Sequence, residues 1–211
     1  IFLAVSAFIV FRGVNKGIES TSKIIMPILL VMILGIAIFS LTLKNTNDAG
    51  EVVTGLQGFK IYIVPNFEGL TIGKLFTVLI DALGQLFFSL SVAMGIMITY
   101  GSYVKDDANL GKSINQIEIF DTVVAFLAGA MIIPAVYAFM GTDGMSSGPS
   151  LMFVSLPKVF AAMGVAGNII GTIFFAMVLF AAITSAVSVM EAVVSCIMDA
   201  FHTSRTKAGT I

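Results

Sequence analysis

The chain has 211 residues, 58% hydrophobic and only 11% charged, with a mean hydropathy of +1.05. A soluble domain carries about 25% charged residues, so this composition excludes an ordinary globular fold and places the chain among polytopic membrane proteins. The net charge of −1 points to no nucleic-acid partner, and the single cysteine, Cys196, excludes an internal disulfide.

Five apolar segments follow one another. Ile1 to Val10 (IFLAVSAFIV) is apolar from its first residue, without an initiator Met or a signal-peptide pattern, and reads as the end of a helix in a larger membrane protein. Ile24 to Leu43 carries no charge and has about the 20 residues a spanning helix needs. Leu75 to Val104 is interrupted by Asp81 and Gln85, Ile119 to Met140 contains Asp121 and Pro134, and Val165 to Met198 contains Thr184, Ser185 and Glu191. The third and fifth segments exceed the bilayer thickness, which predicts tilt, a break or an extension into water.

The connections differ in charge. The first, third and fifth carry seven basic residues and the second and fourth carry four, which by the positive-inside rule assigns the odd connections and the C-terminus to the cytoplasm. The fourth connection (GTDGMSSGPSLMFVSLPKVFAAMG) is too apolar for a plain linker and is expected to fold back over the outer mouth as a short helical hairpin.

Three features point to chemistry. Phe87 to Val104 (FFSLSVAMGIMITYGSYV) sets Ser89, Ser91 and Gly95 near the middle of an uncharged stretch. Small residues there allow close helix packing, or they mark a discontinuous helix whose freed carbonyls and hydroxyls bind a ligand near the bilayer midplane. In the fifth segment, Thr184, Ser185 and Ser188 can bond to their own helix. Alternatively, the Ala181 carbonyl and the Thr184 and Ser185 hydroxyls converge on one point, a hard-oxygen set suited to an alkali cation. Asp121 is a carboxylate in an apolar segment, which costs about 2.5–3.5 kcal/mol at the bilayer centre. It calls for a bound cation or for water at the cytoplasmic end. Glu191 has no role that spacing alone assigns.

These stretches carry a resemblance. LIDALGQLFFSLSVAMGIMITYGSYV resembles the sixth spanning helix of the neurotransmitter:sodium symporter family, FAAITSAVSVMEAVVSCIMD resembles the eighth, DTVVAFLAGAMIIPAVYAF the seventh, and VNKGIESTSKIIMPILLVMIL the link into the fifth. The resemblance covers the whole chain in order. It implies an all-α membrane protein with a partial leucine-transporter-like fold, in one incomplete transmembrane domain. Residues 1–10 would end helix 4, 22–43 form helix 5, 74–104 the broken helix 6, 115–141 helix 7, 142–165 the outer hairpin and 166–202 helix 8.

The resemblance also implies symport of amino acids or related amines with sodium as coupling ion, no organic cofactor, and a multi-pass location in the cell membrane. The lipid bilayer and helices 1–3 and 9–12 of the same protein would be its partners. Ser89 and Asp121 match one sodium site, and Ala181, Thr184 and Ser185 a second. Phe88, Ser89, Ser91, Met94, Ser185 and Val189 match the substrate site, and Tyr103 and Asp199 the cytoplasmic gate. Three departures stand out: Asp121 replaces the usual amide, Ala125 stands where chloride-coupled animal members have a serine, and Ala93 stands where glycine is common. Chloride independence is the expectation these carry. Another transporter family with the same broken-helix fold, coupled to protons or working as an exchanger, remains the alternative. An intramembrane enzyme is more remote, since the only histidine is His202 in the tail and neither Asp81 nor Asp121 has Gly-rich flanks.

Overall fold

A computed structural model describes residues 1–46, 50–105, 107–145 and 151–210. In chain order the elements are α1 (Phe2–Phe11), a π-helical turn (Val14–Glu19), α2 (Ser20–Thr42), β1 (Lys44–Thr46), β2 (Val52–Thr54), α3 (Gly55–Ile63), α4 (Ile72–Ser89), α5 (Ile96–Ser102), α6 (Leu110–Met145), a second π-helical turn (Leu151–Ser155), α7 (Leu156–Ala162), α8 (Val165–Phe201) and α9 (Arg205–Ala208). Among the described residues, four helical stretches are long and apolar enough to cross a membrane: Lys16–Thr42, Ile72–Ser89, Leu110–Thr142 and Val165–Phe201. The 37 residues of α8 reach about 55 Å at 1.5 Å per residue. That exceeds the hydrocarbon thickness of about 30 Å, which calls for tilt or for an extension beyond the hydrocarbon.

The chain divides into two compact units. The first comprises Ile1–Pro27, Glu68–Asp121 and Leu179–Ile211. Its core joins Ile9, Val10, Ile18, Val187, Val194 and Ala208, with Tyr100, Ile183, Met190, Ile197 and Met198 packed around them. Thus α1, the first π-turn, α5, the later turns of α8 and the short α9 share one apolar centre. Gly17 permits the tight return after α1, because a Cβ there would meet the Ile9 carbonyl. Helix α4 belongs to this unit but has no buried residue, so its apolar surface is left for lipid or for other polypeptide.

The second unit comprises Ile28–Phe67 and Thr122–Val178. Here α2 buries Leu29, Ile33, Ile36, Ala37 and Ser40. The two short strands pair antiparallel, with Lys44 opposite Thr54 and Thr46 opposite Val52. Thr54 then starts α3 with a capping box: its hydroxyl accepts from the Gln57 N–H, and the Gln57 side chain accepts from the Thr54 N–H. Phe59, Tyr62 and Phe126 cluster, with the Tyr62 and Phe126 ring centroids 5.6 Å apart, and the Tyr62 hydroxyl donates to the Phe126 carbonyl at 3.3 Å. Within α6 the helix is interrupted at Gly141, whose φ of 64° suits glycine. The hairpin expected over residues 142–165 falls partly outside the described residues. Its described later part forms the second π-turn and α7, which leads through Gly164 (φ 63°) into α8.

Candidate functional site

The third apolar segment is two helices. Helix α4 stops at Ser89 and α5 starts at Ile96. Between them the Val92 N–H bonds the Phe87 carbonyl at 2.9 Å and the Ser91 N–H bonds the Phe88 carbonyl at 3.1 Å. This paired closure is a Schellman motif with Ser91, rather than glycine, in the left-handed position at φ 55°. Ala93 (φ 67°) and Gly95 (φ 76°) are left-handed as well. A left-handed residue other than glycine costs about 1–2 kcal/mol, so the break holds two strained residues. The closure leaves the Ser89 and Leu90 carbonyls without a backbone donor among the described residues. They carry the negative end of the α4 dipole, where a cation is favoured.

Beside the break lies a groove of about 480 Å³, lined by Gln85, Phe88, Ser89, Ser91, Met94 and Ile96, by Thr184, Ser185, Ser188 and Val189 of α8, and by Met26. That volume is in the range of small-molecule sites, about 300–1,000 Å³. Its polar and apolar parts are separate in character. The Ser91 and Ser185 hydroxyls make no hydrogen bond among the described residues, whereas Phe88, Met94, Ile96 and Val189 supply an apolar wall. The Ser89 hydroxyl donates to the Asp121 carboxylate at 2.6 Å, a short charge-assisted contact across 32 residues of sequence. On α8 the Thr184 hydroxyl donates to the Ala181 carbonyl at 2.9 Å. Two oxygens that close are near enough to face a single cation together.

Farther along, Tyr100 of α5 and Tyr103, which caps its C-terminal end, meet α8 with matched spacing. The Tyr100 hydroxyl lies 2.9 Å from Ser188 Oγ, and the Tyr103 hydroxyl donates to Glu191 at 2.6 Å. Three residues separate the members of each pair, so one face of α5 is tied to one face of α8. Glu191 is fully buried and accepts from the Arg205 guanidinium as well, while Arg205 also donates to the Val10 carbonyl at 3.4 Å. The Glu191 carboxylate, by hydrogen bond and by charge, raises the Arg205 guanidinium above its ordinary value against a smaller opposing effect of burial. A buried carboxylate without such partners would be costly.

The sequence model of the sodium:neurotransmitter symporter family matches residues 1–211. The chain belongs to the sodium:neurotransmitter symporter family. An uncharacterised sodium-dependent transporter, YhdH of Bacillus subtilis, is 36% identical over 201 residues, which is 93% of this chain and 40% of that protein. One from Haemophilus influenzae is 33% identical over 208 residues, covering 99% of this chain and 42% of its own length. A sodium- and chloride-dependent taurine transporter of Rattus norvegicus is 27% identical over 201 residues, 90% of this chain and 30% of that protein. Among solved structures, MhsT in complex with L-phenylalanine superposes with a TM-score of 0.80 at 38% identity, covering 99% of this chain and 44% of that one. The fold is therefore that of the leucine-transporter-like symporters, and the chain spans about two fifths of the bacterial relatives it matches. These relatives are transporters, not enzymes.

The residues that the family resemblance singles out come together unevenly. Phe88, Ser89, Ser91, Met94, Thr184, Ser185 and Val189 line one groove. Asp121 reaches it through Ser89, and Ala181 lies one turn before Ser185 on α8. Tyr103 and Asp199 are not joined: Asp199 is exposed, and the acid that Tyr103 meets is Glu191. Glu191 is paired in turn with Arg205. Ile96 and Met26 line the groove without having been singled out, and Gln85 and Ser188, noted in the sequence without a site role, line it as well. Tyr100 and Tyr103 share a spacing of three with Ser188 and Glu191, but nothing in that spacing says that the two pairs meet.

Proposed function

We propose that this chain forms the helix 4 to helix 8 portion of a sodium-coupled symporter for amino acids with bulky apolar side chains, and that its uptake is independent of chloride. The observation that carries the reading is the Ser89–Asp121 contact at the helix break, beside a groove with unpartnered hydroxyls at one part and an apolar wall at another. Ser89, through its hydroxyl and free carbonyl, and Asp121 hold the first sodium. The Ala181 carbonyl and the Thr184 and Ser185 hydroxyls hold the second. Carbonyl and hydroxyl oxygens with one carboxylate are the hard donors an alkali cation takes.

The substrate's ammonium group sits near Phe88, Ser89 and Ser91, where the α4 dipole ends. Its side chain packs on Met94, which is unbranched and adaptable, and on Val189, with Ser185 beside it. The phenylalanine bound to MhsT supports a large apolar side chain. Chloride independence rests on charge. Two sodium ions in a low-dielectric site need compensation, and Asp121 supplies a fixed negative charge. Ala125, four residues later, cannot donate a hydrogen bond to an anion. The transporter lies in the cell membrane with the tail after α8 in the cytoplasm, and Tyr103, Glu191, Arg205 and Asp199 belong to its inner gate.

The test is a screen of labelled amino acids on the full-length transporter, with sodium present or replaced by choline, and with chloride or gluconate as anion. Sodium-dependent uptake of a bulky apolar amino acid that survives gluconate is the expected result. Loss of uptake in gluconate would refute the role given to Asp121. Asp121→Asn combined with Ala125→Ser is expected to move the transporter toward chloride dependence.

A further inference from the structure

Resting on the second-sodium reading just given, we propose that Tyr100 and Ser188 are positioning residues that set sodium affinity by tying the inner half-helix α5 to the turn of α8 that carries the cation ligands. The hydrogen-bond directions are fixed by proton count. A serine hydroxyl has one proton, and Ser188 donates it to the Thr184 carbonyl at 3.1 Å. Tyr100 must then be the donor to Ser188 across their 2.9 Å contact. The relay therefore runs from the Tyr100 hydroxyl to Ser188 and from Ser188 to the Thr184 backbone, and the Thr184 hydroxyl continues to the Ala181 carbonyl. All four residues belong to the same compact unit.

Two facts give this chain of bonds a consequence beyond satisfying polar groups. Helix α5 has only seven residues, far below the length at which a helix is stable alone, about 12–15 residues. Its place is set by what holds it, namely the Tyr100–Ser188 and Tyr103–Glu191 bonds and the core around Val187 and Val194. Its first residue, Ile96, lines the substrate groove directly after the break. Tyr100 lies about one turn after Ile96 on α5, so the relay joins the helix that begins at the groove wall to the Ala181–Thr184 turn. A cation held by that turn favours the backbone position that Ser188 and Tyr100 fix, and a shift of α5 on substrate binding is felt there through one hydrogen bond. Ser188 contributes little polarity to the groove, because its proton and one lone pair are already engaged.

The test uses the full-length transporter with Tyr100→Phe, Ser188→Ala, the double variant, Ser188→Thr and Thr184→Val. Sodium half-saturation is read twice, from uptake and from sodium-dependent thermal stabilisation of the purified protein. Tyr100→Phe and Ser188→Ala are each expected to raise sodium half-saturation about threefold to tenfold, the effect of one ordinary hydrogen bond. The double variant should be no worse than Ser188→Ala, which already loses both of its bonds, and Ser188→Thr should restore most of the affinity. A raised half-saturation in Thr184→Val with wild-type values in Tyr100→Phe and Ser188→Ala would overturn the relay alone. An unaltered sodium dependence in Thr184→Val would overturn the second-sodium reading and the relay with it. Additive effects in the double variant would show two independent roles and also overturn the proposal.

Discussion

Removing Arg205 should cost more than neutralising the acid it serves. Glu191 is 0% exposed, while the Arg205 side chain keeps 21% of its surface in contact with solvent. In Arg205→Ala the carboxylate stays buried with the Tyr103 hydroxyl as its remaining strong donor, and the Val10 carbonyl loses a donor too. Breaking a buried pair from one side costs about 3–5 kcal/mol. Because Tyr103 still serves Glu191, about 2–3 kcal/mol is the expectation here. In Glu191→Gln the amide oxygen still accepts from Tyr103, and the partly exposed guanidinium can turn to water, so the loss should be about 1 kcal/mol. The double variant should lie close to Glu191→Gln, since the uncompensated charge is gone. The assay is equilibrium denaturant unfolding of the purified full-length transporter in detergent, with wild type and all three variants compared at their midpoints and slopes. Equal losses in the two single variants, or a larger loss in Glu191→Gln, would refute the claim that a buried carboxylate depends on Arg205.

Other expectations follow from single residues. Thr184→Val and Ser185→Ala should each raise the sodium concentration needed for half-maximal uptake while leaving the protein in the membrane, as read by uptake at graded sodium and by surface labelling. Ala93→Gly should be between neutral and about 1 kcal/mol stabilising, because glycine relieves a left-handed φ of 67° at an entropic cost. Ala93→Val should be clearly destabilising, with thermal unfolding as the measure. Gly58→Ala should destabilise by about 1–3 kcal/mol, since the added Cβ would lie 2.8 Å from the Tyr137 Cβ and 2.9 Å from the Pro134 Cα. A loss too small to detect in that variant would mean α3 can move away from α6 freely.

Ser89, Ser91 and Gly95 weaken an otherwise continuous apolar run, which left a break and close helix packing both open, and the family resemblance favoured the break. The sequence did not show that Ser91 and Ala93 would be the left-handed residues, since propensity alone assigns that conformation to glycine. Most of the groove residues were legible through the family resemblance, and spacing alone suggested only the Ala181, Thr184 and Ser185 set. The Tyr103–Glu191 and Tyr100–Ser188 bonds each link residues 88 apart, and no local pattern encodes which long-range partners meet. Arg205 was hidden for another reason. It sits in a tail that reads as polar and solvated, and only the turn after Phe201, with His202 at φ 47°, returns it toward α8. The β1–β2 pair escaped notice because three-residue strands carry almost no periodic signal.

Uptake of a labelled bulky apolar amino acid by the full-length transporter in proteoliposomes, measured in chloride-free gluconate buffer over a range of sodium concentrations for wild type and Asp121→Asn, tests the central claim most directly. Saturable sodium-driven uptake in wild type without chloride, and a much weaker sodium dependence in Asp121→Asn, are the expected results. Uptake that persists when sodium is replaced by choline, or a sodium dependence that Asp121→Asn leaves unchanged, would contradict the claim.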